Sequence, residues 1–177
     1  MFIFLCFCFC VFAQEETEGR EIDNRFYLGL GWSNIQSTGD FWGSIDFGFL
    51  LYKNRDRNFN IRNAVLFDAG LLNYKGVENA AFSLSDKLII EHMSHNQLFR
   101  YYSFFQGGVV LYGNENKTIS QTPVTYNIGL GIGLDFFIQK NTSFFIDYTA
   151  LFNAWEKKLT WEDSFNPKFT MGMRMFF

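Results

Sequence analysis

In Phe169-Thr170-Met171-Gly172-Met173-Arg174-Met175-Phe176-Phe177, a large apolar residue falls on every second position. Phe169, Met171, Met173, Met175 and Phe177 share one face, and Thr170, Gly172, Arg174 and Phe176 share the other. A period of two is the pattern of a β-strand. An arginine opposite the apolar residues means that the second face is not an oily core. Apolar residues outward and polar ones inward, with a terminal aromatic, suit a strand set between lipid and a polar lumen.

Working back from that strand, the same alternation recurs in stretches of about ten residues. Strands are expected near 25–33, 40–52, 59–74, 82–92, 98–112, 124–138 and 143–155, with 169–177 as the eighth. The stretch 124–138 is the clearest. Val124, Tyr126, Ile128, Leu130, Ile132, Leu134, Phe136 and Ile138 lie on one side, opposite Thr125, Asn127, Gly129, Gly131, Gly133 and Asp135. Glycines on a water-facing side would weaken a strand. On the inside of a narrow barrel they make room for larger neighbours. The connections at 53–58, 93–97 and 139–142 read as short turns. Those at 34–39, 75–81, 113–123 and 156–165 read as longer loops. Short turns at one end and longer loops at the other are the habit of transmembrane barrels. The expected fold is therefore all-β: an eight-stranded antiparallel transmembrane barrel over 25–177, with short periplasmic turns and a filled polar interior.

Composition agrees. Aromatics make up 20% of the chain, including 24 Phe, against only 2 Pro. Charge is close to balance, with 15 Lys+Arg and 18 Asp+Glu, so nothing draws the chain to nucleic acid. Residues 1–13 hold no charge and carry all three cysteines, Cys6, Cys8 and Cys10. They read as a signal peptide cleaved after Ala13, followed by a polar periplasmic lead-in over 14–24. No Lys or Arg precedes the apolar run, which leaves room for a start upstream. No later stretch has the 18 consecutive apolar residues of a membrane helix.

Charges that point into such a lumen need partners, because an unpaired buried charge is very costly. Asp135, Asp147 and Arg174 lie at similar distances from their strand ends, on neighbouring strands, and are expected to cluster. Asp46, Asp68 and Lys87 lie near mid-height and are expected to form a second group. Glu91 and Arg100 are expected to pair near the rim. Aromatics near strand ends (Trp32, Phe41, Tyr74, Tyr101, Tyr112, Tyr126, Trp155 and Phe177) suit interfacial girdles.

The leader, the eight alternating strands and the terminal Phe resemble the small outer-membrane barrels of the OmpA, OmpX and OmpW type. The resemblance covers about 25–177 and is one of pattern. Thr170, Gly172, Met175 and Phe177 are similar to the assembly signal of that class, with Met175 where an aromatic is usual. The resemblance implies a cell outer-membrane location in a Gram-negative-type envelope and a porin-like barrel in outer-membrane lipid. It also implies recognition by the barrel-assembly machinery and periplasmic chaperones, with a monomer as the expected state. It does not fix a role, because function lives in sites grafted on folds.

Chemistry is sparse in this sequence. His92-Met93-Ser94 is similar to the His-x-Ser element of lipid A deacylase barrels, in which Ser needs an adjacent base. In that family the element lies near the chain end, whereas here more than 80 residues follow it. His92 and His95 lack the further ligands a metal needs. Gly129-Leu130-Gly131-Ile132-Gly133 sits within a strand and is no nucleotide fingerprint. No cofactor and no metal are expected. The leading expectation is a non-enzymatic barrel with a structural or surface-interaction role. An acyl hydrolase using His92 and Ser94 is the alternative, and a hydrophobic-solute conduit a further one.

Overall fold

The computed structural model describes residues 25–35, 40–54, 59–74, 77–94, 98–112, 124–153 and 165–177. Eight strands follow in chain order: β1 (Phe26–Ile35), β2 (Asp40–Asn54), β3 (Phe59–Tyr74), β4 (Val77–Met93), β5 (Phe99–Tyr112), β6 (Val124–Gln139), β7 (Thr142–Asn153) and β8 (Phe165–Phe176). Each pairs antiparallel with the next, and β8 pairs with β1, closing the barrel. Phe26 N–H donates to Phe177 O at 3.2 Å, and Phe177 N–H donates to Phe26 O at 2.9 Å, which seals the seam. Closure leaves no open sheet edge, a requirement for a backbone surrounded by hydrocarbon.

The burial pattern is inverted relative to a water-soluble protein. On β6, Leu130 is 64% and Ile132 65% exposed, while Asp135 is 0% exposed. Leaving a Leu, Ile or Phe side chain in water forfeits about 1.5–3 kcal/mol of burial. The outer faces of all eight strands carry such residues, so lipid is the solvent this wall requires. Trp32, Phe41, Tyr101, Tyr126 and Phe177 are exposed near strand ends, as interfacial aromatics would be. The side chains of Tyr74 and Tyr112, all of Trp155, and the expected leader and lead-in lie outside the described residues.

Inside, small residues admit rings from the neighbouring strand. Phe104 and Tyr102 on β5 pair with Gly131 and Gly133 on β6. A Cβ at Gly131 would stand 2.2 Å from the Phe104 ring, and one at Gly133 would stand 2.3 Å from the Tyr102 ring.

Several boundaries differ from expectation, with β1 running on to Ile35 and β2 to Asn54, past the expected 33 and 52. The connection expected at 75–81 is only 75–76, because β4 starts at Val77 and pairs back along β3 to Tyr74. Val77-Glu78-Asn79-Ala80-Ala81 has no large alternating side chain, so its ladder is invisible to a hydrophobic pattern. β7 stops at Asn153. β8 begins at Phe165, four residues earlier than expected, and tolerates Pro167 opposite Ala150. The connections 36–39 and 55–58 are equal in length, so strict alternation of loop length fails in the first half of the barrel. Only 113–123 and 154–164 are long, and both join strands at the end opposite Phe26 and Phe177.

Gly131→Ala should destabilise the barrel by about 1–3 kcal/mol through forced movement of Phe104. Gly43→Ala, whose added Cβ would meet only Ala69 O at 3.8 Å, should change stability little. Urea unfolding of both variants in detergent micelles checks the contrast.

Candidate functional site: a charged plug in the lumen

Alternation sends every second side chain inward, so eight strands converge their polar residues on one axis. Five cations are buried there, Arg62, Lys87, Arg100, Lys168 and Arg174, together with five carboxylates, Asp46, Asp68, Glu91, Asp135 and Asp147. Among the described residues the buried charges therefore balance.

A chain of contacts runs through the lumen. Arg62 Nε donates to Glu91 Oε1 at 3.0 Å, and Asn60 Nδ2 donates to the same oxygen at 3.0 Å. Glu91 Oε2 lies 3.3 Å from Arg100 Nη1. Arg100 Nε donates to Asp135 Oδ2 at 2.8 Å, and Ser143 Oγ donates to Asp135 Oδ1 at 3.2 Å. Arg174 then serves three carboxylates: Asp135 at 3.1 Å, Asp46 at 3.0 Å and Asp147 at 3.4 Å. It also donates to the Tyr102 hydroxyl at 2.5 Å, and that hydroxyl donates to Asp147. Lys87 Nζ reaches Asp147 at 2.9 Å. Aromatic faces cover the cations. Arg174 lies 4.0 Å from the Phe145 ring centroid, Arg100 4.4 Å from Phe176, and Lys87 4.2 Å from Phe104. Such contacts strengthen when desolvated.

β1 contributes space to this network instead of charge. Gly29 pairs with Asp46 on one side and Arg174 on the other. A Cβ there would stand 1.7 Å from Asp46 Oδ1 and 3.1 Å from Arg174 Cγ. The absence of a side chain on Gly29 is what lets β2 and β8 meet over β1.

A smaller cluster lies farther along the lumen. Lys168 Nζ donates to Asp68 at 2.6 Å, and Ser44 Oγ donates to Asp68 at 2.5 Å. Ser33 Oγ is 2.8 Å from Ser44 Oγ and 2.9 Å from Thr170 Oγ1. Hydroxyls thus link β1, β2, β3 and β8.

The structure brings Asp135, Asp147 and Arg174 together, and likewise Glu91 and Arg100. It does not gather Asp46, Asp68 and Lys87. Asp46 goes to Arg174, Asp68 to Lys168, and Lys87 crosses to Asp147. The reason lies in the register. Asp46 shares a cross-strand row with Gly29 and Arg174, Asp68 with Ser44 and Ser83, and Lys87 with Ala64 and Gln106. Strand tilt separates residues that look level when counted from strand ends. Sequence reading also missed Arg62, Tyr102 and Lys168. Arg62 has the inward parity of Asp68, and Lys168 that of Arg174, so parity alone could have found both.

Of the residues expected to signal assembly, Thr170 is buried against Ser33, and Gly172 packs its backbone on β1, where a Cβ would lie 2.1 Å from Leu30 O. Met175 lies on the outward parity and Phe177 is exposed. His92 lies on the outer wall, its ring 5.3 Å from that of Tyr101 and 6.5 Å from that of Phe59. Ser94 closes the β4–β5 turn. Its Oγ accepts from Phe99 N at 3.1 Å, and its N–H donates to Phe99 O at 2.9 Å. Among the described residues, no three His, Cys, Asp or Glu side chains converge as a metal-holding group.

Removing one partner of a buried ion pair typically costs about 3–5 kcal/mol. Arg174→Met leaves Asp46 without its cation and removes one of the two cations at Asp135 and at Asp147, and should cost more than Lys168→Met, which strands Asp68 alone. Arg174→Met combined with Asp46→Asn should recover part of the loss. Urea unfolding of the three variants and the parent in micelles orders them.

No protein-family model matches the sequence, and no curated protein matches it. Solved structures do match in shape. Neisserial surface protein A superposes with a TM-score of 0.62 at 13% identity, covering 89% of this chain and 100% of that one. The outer-membrane enzyme PagL gives 0.58 at 10% identity, covering 85% and 99%. The attachment invasion locus protein Ail of Yersinia pestis, in complex with a heparin analogue, gives 0.50 at 10% identity, covering 86% and 96%. Identities this low speak to fold alone. With its closed sheet, apolar outer wall and charged lumen, the chain is an eight-stranded antiparallel β-barrel with the fold of these outer-membrane proteins, resembling the OmpA, OmpX and OmpW type.

Proposed function

We propose that this barrel is non-enzymatic and serves the envelope as a structural or surface-interaction protein. The observation that carries this reading is the lumen. Its charges neutralise one another across seven of the eight strands, with aromatic rings layered between them. Charges that satisfy each other need no ligand, and a filled interior offers no route for solute. The parts left for interaction are the connections 113–123 and 154–164, both at the end away from Phe26 and Phe177.

Acyl hydrolysis is the second reading. In its favour, a groove of about 750 Å³ on the outer wall is lined by His92, Tyr101, Ile132, Ile146 and Tyr148, surroundings an acyl chain would accept. Against it, Ser94 Oγ is engaged by the Phe99 amide in a turn.

Three measurements separate the readings. The refolded protein should migrate anomalously on SDS gels before heating and should show no conductance steps in planar bilayers; steady steps would overturn the filled-lumen reading. Replacing 113–123 and 154–164 with two-residue turns should leave that migration unchanged. If the trimmed barrel restores envelope integrity to cells lacking the protein, the role is structural; if it does not, the role lies in the loops. Release of fatty acid from lipid A or phospholipid vesicles, lost in Ser94→Ala, would move the assignment to hydrolysis.

A further inference from the structure

The groove of about 750 Å³ on the outer wall runs across β3 to β7. Register builds it from two cross-strand rows. His92, Tyr101, Leu134 and Ile146 pair in succession along one, and Ile90, Ser103 and Ile132 along the other. Ser103 makes the floor. Its outward neighbours on β5 are Tyr101 and Phe105, both exposed, so a short hydroxyl side chain between rings leaves a recess in the wall.

The place of the recess says what fills it. The wall around it is apolar and exposed, which sets it in hydrocarbon. His92 is one residue from the end of β4 and Tyr101 is the third residue of β5. That row is therefore near the end that holds Phe26 and Phe177, the end of short turns, which is periplasmic in such barrels. An acyl chain lying in the groove from there keeps its headgroup at the rim.

Charge then selects the headgroup. Among the described residues at that rim, Arg25, Lys53 and Lys140 are exposed and no carboxylate side chain is. Lys53 pairs with Asn60, next to Phe59 at one edge of the groove, and Lys140 is in the turn between β6 and β7 at the other. His92 stands at the rim end of the groove, its ring set between those of Phe59 and Tyr101. An imidazole carries at least one N–H, a donor for a phosphate oxygen.

We propose that this groove is a binding site for an anionic diacyl phospholipid of the periplasmic leaflet, one acyl chain on Ser103 and the phosphate at His92. The recess supplies attachment, and Lys53 and Lys140 supply a field that favours a negative headgroup. No bond is made or broken, and Ser94 takes no part. Such a lipid differs from the lipid that coats the wall elsewhere. Along β1, for example, the outward residues Leu28, Leu30 and Trp32 are all large and leave no recess.

Photolabelling of the full chain in phosphatidylcholine nanodiscs tests the site. The probe is a trace of phosphatidylglycerol with a diazirine in one acyl chain. Peptide mapping should find roughly tenfold more label around Tyr101 and Ile132 than around Leu30, on the far side of the barrel. The same diazirine carried on phosphatidylcholine should show little of this preference. Ser103→Trp fills the floor, leaves the rim charges in place, and should lower the label there roughly tenfold. Lys53→Gln with Lys140→Gln should cut the preference for phosphatidylglycerol by about fivefold or more. Heat-modifiable migration verifies folding of each variant. Even labelling around the barrel, equal labelling by the two headgroups, indifference to Ser103→Trp, or release of the labelled fatty acid by hydrolysis would each overturn the proposal.

Discussion

Asp46, Asp135 and Asp147 stand around the guanidinium of Arg174, and in a lumen shielded from water their charges are tolerable only as a group. A guanidinium suits this place better than an ammonium would. It is planar, keeps its charge when buried, and offers five donors in fixed directions. Arg174 spends those donors on three carboxylates and a phenol, and lays its face on Phe145. The rest of the interior follows. Gly29 must be bare so that Asp46 can arrive, and Tyr102 must be oriented by Gly133 so that its hydroxyl can pass the contact on to Asp147.

The alternation that reveals the strands is legible because two immiscible surroundings act on alternate residues. Lipid selects Leu130 and Ile132, and the lumen selects Gly131 and Asp135. Strand number, side-chain parity and barrel class follow from that selection. Strand ends do not, because they are set by the ladder with a neighbour. Ala80 and Ala81 are in β4 since β3 continues beside them, and Lys168 is in β8 despite Pro167 before it. A hydrophobic pattern carries no information about a neighbour's hydrogen bonds.

The ion pairs were legible in part for a related reason. Arg174 with Asp147 and Asp135 lies within three consecutive strands near one end, where tilt has little distance over which to accumulate. Lys87 and Asp147 are on β4 and β7 and meet across the lumen, a contact that depends on the shear of the closed sheet.

The position of Arg174 along the chain has a consequence for how the molecule forms. Its three acidic partners lie on β2, β6 and β7, all earlier in the chain, while the residue that neutralises them is on β8. A sheet of seven strands inserted in hydrocarbon would carry five buried carboxylates against three cations, with Asp46 lacking its partner, as well as two unpaired edges. Charge neutrality and seam closure are thus reached in the same event, when the last strand docks on the first. The interior acts as a latch: partial barrels are poorly tolerated by the bilayer, and the finished one is held shut from within.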